Sequence, residues 1–121
     1  MTREDGLDIA HRDELERTGG WLLARRTLGC SSFGMNLVEI APGEQIPEHD
    51  EVARDQEEVF VVLDGDATMV VDGRPHPAPS GTFVRLDPGR RRTVRNEGAD
   101  TVTVLIASAP RTSGYEPPDW A

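Results

Sequence analysis

Apolar positions along this chain come in short runs whose period is two, the spacing of extended strands. Residues Glu58 to Leu63 show it most clearly: Glu58, Phe60 and Val62 share one face, and Val59, Val61 and Leu63 the other. Both faces are largely apolar, so each is predicted to meet packed surface. Asp64-Gly65 then signals a turn, Ala67 to Val71 resumes the β-branched pattern, and Asp72-Gly73 signals a second turn. Further strands are predicted at Phe33 to Ile40, Thr82 to Leu86 and Val102 to Ala107, where Val102, Val104 and Ile106 lie on one face. At least six strands follow. Only Arg12 to Arg17 reads as helical, with Gly19-Gly20 as its C-terminal stop. The prediction is an all-β domain with one short N-terminal helix, built as a sandwich or a barrel so that the sheet edges are covered.

Length changes the picture little: 121 residues suffice for one core and not for two, so the whole chain, 1–121, is expected to be one domain. Its core is placed at about 22–109, with an N-terminal segment over 1–21 and a Pro-rich arm over 110–121. Pro110, Pro117 and Pro118 bar that arm from a central strand, while Tyr115 and Trp120 suit it to packing on the barrel or on a second subunit. Trp21, Tyr115 and Trp120 are also candidates for the lining of a ligand mouth. The arm, together with the two-sided apolarity of Val59 to Leu63, leads to the expectation of a homodimer.

Charge excludes several partners. Thirteen basic residues, all arginine, against 22 acidic ones give a net charge of −9, which repels nucleic-acid phosphates and anionic lipid. No apolar run reaches the ~20 residues of a membrane span, and the first ten residues lack the apolar stretch of a secretory signal, so a cytoplasmic protein is expected. Cys30 stands alone, which rules out an intrachain disulfide, and the lack of lysine rules out an amine Schiff base. The charges are segregated. Glu44, Glu48, Asp50, Glu51, Asp55, Glu57 and Glu58 crowd one stretch, and Arg85, Arg90, Arg91, Arg92 and Arg95 another. Two such runs in one small domain can serve as mutual counterions or as solvated edges.

The acidic stretch lies within GEQIPEHDEVARDQEEVFVVLDG, residues 43–65, and the basic one within GTFVRLDPGRRRTVRN, residues 81–96. The first resembles the leading motif of the cupin superfamily, Gly, five residues, His-x-His, a short gap, Glu, six residues, Gly, with Gly43, His49, Glu58 and Gly65 in place. The second resembles the closing cupin motif, with Gly81, Gly89 and Asn96 in place. There are departures. Glu51 holds the second histidine position, six residues separate it from Glu58 where three or four are usual, Asp87 replaces a proline, and Arg92 replaces a histidine. The whole also looks like a group of small single-domain cupins of unassigned function. The resemblance implies a double-stranded β-helix, or jelly-roll, barrel.

Metal-binding cupins hold iron, manganese, nickel or zinc on the motif histidines and glutamate. Here the resemblance leaves His49, Glu51 and Glu58 as candidate ligands of a divalent metal, with the fixed charge of Arg92 opposing it. Without a metal the candidate catalytic residues are His49, Glu58 and Arg92, and the candidate ligand-binding residues are His49, Glu51, Glu58, Phe60 and Arg92. Arg92 would fork onto a carboxylate of the protein or of a ligand, and His49 would serve as acid or base. His11 and His76 are read as solvated, and Ser31-Ser32 has no histidine at a telling spacing. Two readings stand. One is a barrel that binds a small polar molecule, anionic ones included, and carries out acid-base or metal-assisted chemistry on it. The other is a non-catalytic ligand-binding or structural barrel with a degenerate metal site.

Overall fold

A computed structural model describes residues 1–121. Eleven strands run in chain order: β1 (Thr2–Glu4), β2 (Leu7–Ile9), β3 (Arg17–Thr18), β4 (Trp21–Leu22), β5 (Gly34–Ile40), β6 (Gln56–Asp64), β7 (Asp66–Val71), β8 (Arg74–Pro79), β9 (Phe83–Leu86), β10 (Arg92–Arg95) and β11 (Val102–Pro110). One α-helix, α1 (Ala24–Leu28), precedes β5. A six-stranded sheet in the order β3-β4-β5-β11-β6-β9 faces a three-stranded sheet in the order β10-β7-β8. The segment from Gln45 to His49 adds itself to the open side of β10 through the bridges Gln45↔Arg95 and His49↔Arg92. The two sheets wrap one core as a jelly roll.

The core follows from the alternation. Phe60 and Val62 of β6, Val38 and Ile40 of β5, Val104 and Ile106 of β11, Met69 and Val71 of β7, and Val94 of β10 point into one cluster of buried residues. The two turns of the meander form as the Asp-Gly pairs require. Asp72 and Gly73 take φ of 50° and 78°, which the tight β7–β8 connection needs. Gly65 sits at φ 81°, and a side chain there would meet the Thr101 carbonyl oxygen at 2.8 Å, so both backbone conformation and space demand glycine between β6 and β7.

Three expectations need correction. Arg12 to Arg17 does not form the predicted helix: only Arg12–Glu14 makes a 3-10 turn, capped by His11, and Arg17 already belongs to β3. The true helix is α1, which ends at Gly29 in the left-handed conformation; its single buried residue, Ala24, gives no helical stripe to read. Second, the alternation predicted no strand at Pro75, His76 and Pro77, which lie in β8, the second arm of the β7–β8 hairpin. β8 is an edge strand, where prolines forfeit no ladder bond, and His76 is exposed as expected. Third, the terminal aromatics do not tie the arm to the barrel. Tyr115 and Trp120 are among the most exposed side chains, and of the three aromatics only Trp21 packs against the core. Leu63 and Phe83 are also exposed. No helix is long and apolar enough to cross a membrane.

Candidate functional site

Four side chains meet at one end of the barrel, each placed by its strand. Glu58 opens the inward face of β6, paired with Leu86 of β9 on one side and Ser108 of β11 on the other. Arg92 begins β10, opposite Val71 of β7. His49 and Arg92 form a bonded antiparallel pair, with His49 N donating to Arg92 O at 3.0 Å and Arg92 N to His49 O at 2.8 Å. Such a pair puts both side chains on the same face of the sheet. Glu51 follows His49 and is fixed by its own N–H on the Pro88 carbonyl at 3.0 Å.

The geometry among them is close but not saturated. His49 Nδ1 lies 3.0 Å from the Pro47 carbonyl oxygen; donating there leaves Nε2 facing the carboxylates. Nε2 is 3.3 Å from Glu51 Oε1 and 3.8 Å from Glu58 Oε1. Arg92 is fully buried, and its Nη1 stands 3.7 Å from Glu58 Oε1, too long for a hydrogen bond. The one hydrogen bond of its guanidinium runs from Nη2 to the Asp87 carbonyl at 3.0 Å. Glu58 Oε1, Arg92 Nε and Arg92 Nη1 are therefore buried without a hydrogen-bond partner in the protein. Glu58's carboxyl is pushed above its ordinary value of 4.5, first by burial and then by the like charge of Glu51, against the pull of Arg92 and His49.

Removing the repulsion tests that account. Glu51→Gln is expected to lower the Glu58 pKa toward 4.5, followed by carbon NMR of the labelled carboxyl. Because the folded value is raised, the stability that goes with protonated Glu58 is complete below the unfolded value of about 4.5. It is lost as pH rises from there through the raised folded value. The same variant should narrow that window.

Glu51 and Glu58 line an open cavity of about 430 Å³, whose wall also includes Asn36 of β5, Gln56 of β6 and Ser108 of β11. Its lining is mostly polar, with Cys30, Phe33 and Pro110 the apolar exceptions. Phe60, a predicted ligand contact, is not part of it: Phe60 is fully buried in the core one inward position below Glu58. Nor do His49 and Arg92, also predicted ligand contacts, or Trp21, Tyr115 and Trp120 line it. Several lining residues escaped the sequence reading. Asn36 was accessible to it, since alternation puts Asn36 on the face of Val38 and Ile40. Ser31, Ser32 and Arg25 were not, because they arrive from the loop and helix before β5.

The acidic and basic runs do pair across the fold. Arg85 reaches Glu57 at 2.8 Å, Arg91 reaches Glu48 at 3.4 Å, and Arg92 approaches Glu58.

Residues 36–108, more than half of the chain, match the family model of the cupin domain. The chain belongs to the cupin family. Among curated proteins it is 32% identical over 113 residues to the polyketide synthase CurC of Streptomyces cyaneus, an alignment covering 88% of this chain and 72% of that one. Among solved structures, this cupin superposes on a conserved barrel domain protein of Salinispora arenicola with a TM-score of 0.67 at 22% identity, covering 93% of each chain. It also superposes on a cupin from Silicibacter pomeroyi described as a sugar phosphate isomerase, with a TM-score of 0.72 at 22% identity over 84% of this chain and 75% of that one. At these identities the solved structures establish the fold.

The family implies a metal, and the donors can be tested for it. One ligand atom each from His49, Glu51 and Glu58 lies within 4.8 Å of the others, so the three could hold a metal ion. Arg92 works against that. Its fixed positive charge stands 3.7 Å from a carboxylate oxygen that would be a ligand, in a buried setting where charge is poorly screened. The donor set converges as a divalent ion requires, but the charge around it does not fit one.

Proposed function

We propose that this cupin binds a small polar carbonyl compound in the cavity at the barrel mouth and moves a proton on it. The observation that carries this reading is Glu58: its Oε1 is buried without a hydrogen-bond partner, and the residue is part of the wall of a polar cavity. A carboxylate held above its ordinary pKa by burial is a stronger base than one in water. In the proposed step Glu58 takes a proton from a carbon next to the substrate carbonyl, the C–H bond breaks, and the electron pair moves to the oxygen as an enolate. Return of that proton by Glu58 to the oxygen gives the enol, a keto–enol isomerisation that needs no other reactant. Arg92, which does not line the cavity, acts through Glu58 as a positioning residue. The 32% identical relative is named a polyketide synthase, and carbons flanked by carbonyls, as in polyketide chains, are the C–H acids such a base suits.

The test uses proton exchange. Acetoacetate and acetylacetone, incubated with the protein in D₂O, should lose their activated protons faster than in buffer, and Glu58→Gln should remove the excess rate. Exchange no faster than buffer, or undiminished in Glu58→Gln, overturns the reading. The convergence of His49, Glu51 and Glu58 favours a second reading, a divalent metal on those three residues. Its test is the titration of Arg92→His described below.

A further inference from the structure

The cavity is lined by two arginines that have no carboxylate within 4.0 Å. Nine of the thirteen arginines lie within 4.0 Å of a carboxylate, as a chain with 22 acids would lead one to expect. Arg25, Arg54, Arg74 and Arg95 do not, and two of these four, Arg25 and Arg54, line the cavity that holds Glu58. Arg25 makes one hydrogen bond, from Nη1 to the Cys30 carbonyl at 3.1 Å. Both side chains are exposed and free to turn toward a ligand.

Their origin in the chain is informative. Arg25 stands on α1, and Arg54 on the 3-10 turn Val52–Arg54. That turn lies in the six residues between Glu51 and Glu58, where the cupin motif is lengthened, so the added residues supply a cation to the cavity. The cavity is thus polarised by burial: the two arginines that line it are exposed, whereas Glu51 is half-buried and Glu58 buried. An anion entering it is repelled by the carboxylates and held by the arginines, in a forked geometry that suits planar or tetrahedral oxyanions.

We propose that Arg25 and Arg54 form an oxyanion subsite, so that the molecule bound here carries a carboxylate or phosphate at one end and presents its other end to Glu58. The assignment builds on the cavity proposed above as a ligand site, but not on the proton transfer. Calorimetry separates the two. Acetoacetate and dihydroxyacetone phosphate are compared with their uncharged counterparts acetylacetone and dihydroxyacetone, for the parent and for Arg25→Gln, Arg54→Gln and the double variant. The charged probes should bind more tightly than the neutral ones and lose about tenfold in affinity per arginine removed. The neutral probes should be unaffected, and thermal midpoints should not move, since both side chains are exposed. Whichever charged probe binds more tightly identifies the group. Equal affinity for charged and neutral probes, no binding of either anion, or undiminished anion binding in the double variant overturns the subsite. If anions bind as expected but Glu58-dependent exchange is absent, the subsite stands and the proton-transfer reading falls.

Discussion

Replacing Arg92 with histidine is expected to raise the affinity for Ni²⁺ or Zn²⁺ by at least about 100-fold, because it removes a repulsion worth up to about 4 kcal/mol for unit charges ~4 Å apart at the effective dielectric of a protein. The substitution also adds an imidazole ligand to His49, Glu51 and Glu58, which already converge within 4.8 Å. The backbone is prepared for it: Arg92 is locked to His49 by two hydrogen bonds, so a side chain at 92 emerges beside the His49 ring. Calorimetric titration of parent and variant decides the matter. A parent that binds metal tightly, or a variant that gains nothing, shows that position 92 is not where the second motif places its ligand, and overturns this account of the site.

The second large effect concerns the buried pair itself. Glu58→Ala leaves the Arg92 guanidinium fully buried with no carboxylate within 4.0 Å, at an expected cost of about 3–5 kcal/mol. For a chain of this length that corresponds to a fall in thermal midpoint of roughly 10–25 °C. If the single variant fails to fold, Glu58→Leu combined with Arg92→Met keeps the question open to measurement. That double variant replaces both charges with apolar groups of similar size and is expected to match or exceed the parent in urea unfolding. The reason is that the native pair stands 3.7 Å apart with three polar atoms unpartnered, so its attraction is poorly used against the cost of desolvation. A protein that tolerates Glu58→Ala without loss would show that water reaches Arg92 and that the pair is not truly desolvated. A double variant far less stable than the parent would show that the pair is worth more than its geometry implies. Either way the result bears on function, since polar groups kept at a cost in stability are those a ligand site retains.

The core of the barrel was legible from residue order alone. Alternation in a strand is geometric, so Glu58, Phe60 and Val62 had to share a face, and in the folded barrel that face is the buried one. Asp64-Gly65 and Asp72-Gly73 likewise announced their turns, because few residues tolerate positive φ. The short N-terminal elements were not legible. α1 has five residues and one buried side chain, too few for a period to emerge, and Arg12 to Arg17 looked helical only because charged residues are good helix formers. β8 was hidden by its prolines, which a strand accepts only when the rest of the sheet has made it an edge.

The site divides in the same way. The chain by itself determined that His49, Glu51, Glu58 and Arg92 are candidates, because motif spacing carries over from one cupin to another and strand alternation directs 58 and 92 inward. It could not determine their distances. Whether Arg92 grips Glu58 or merely stands near it depends on where β10 lies relative to β6 in the opposite sheet, and residues 34 positions apart in sequence have no local geometry linking them. The folded barrel decided that the pair is 3.7 Å apart and buried without hydrogen bonds between its members, that Phe60 belongs to the core, and that the cavity wall is polar. It also decided that Arg25 and Arg54, far apart in the chain and in no shared motif, line one cavity. That placement is set by how α1 and the turn before β6 pack around the barrel end, a property of the assembled sheets that no stretch of sequence contains.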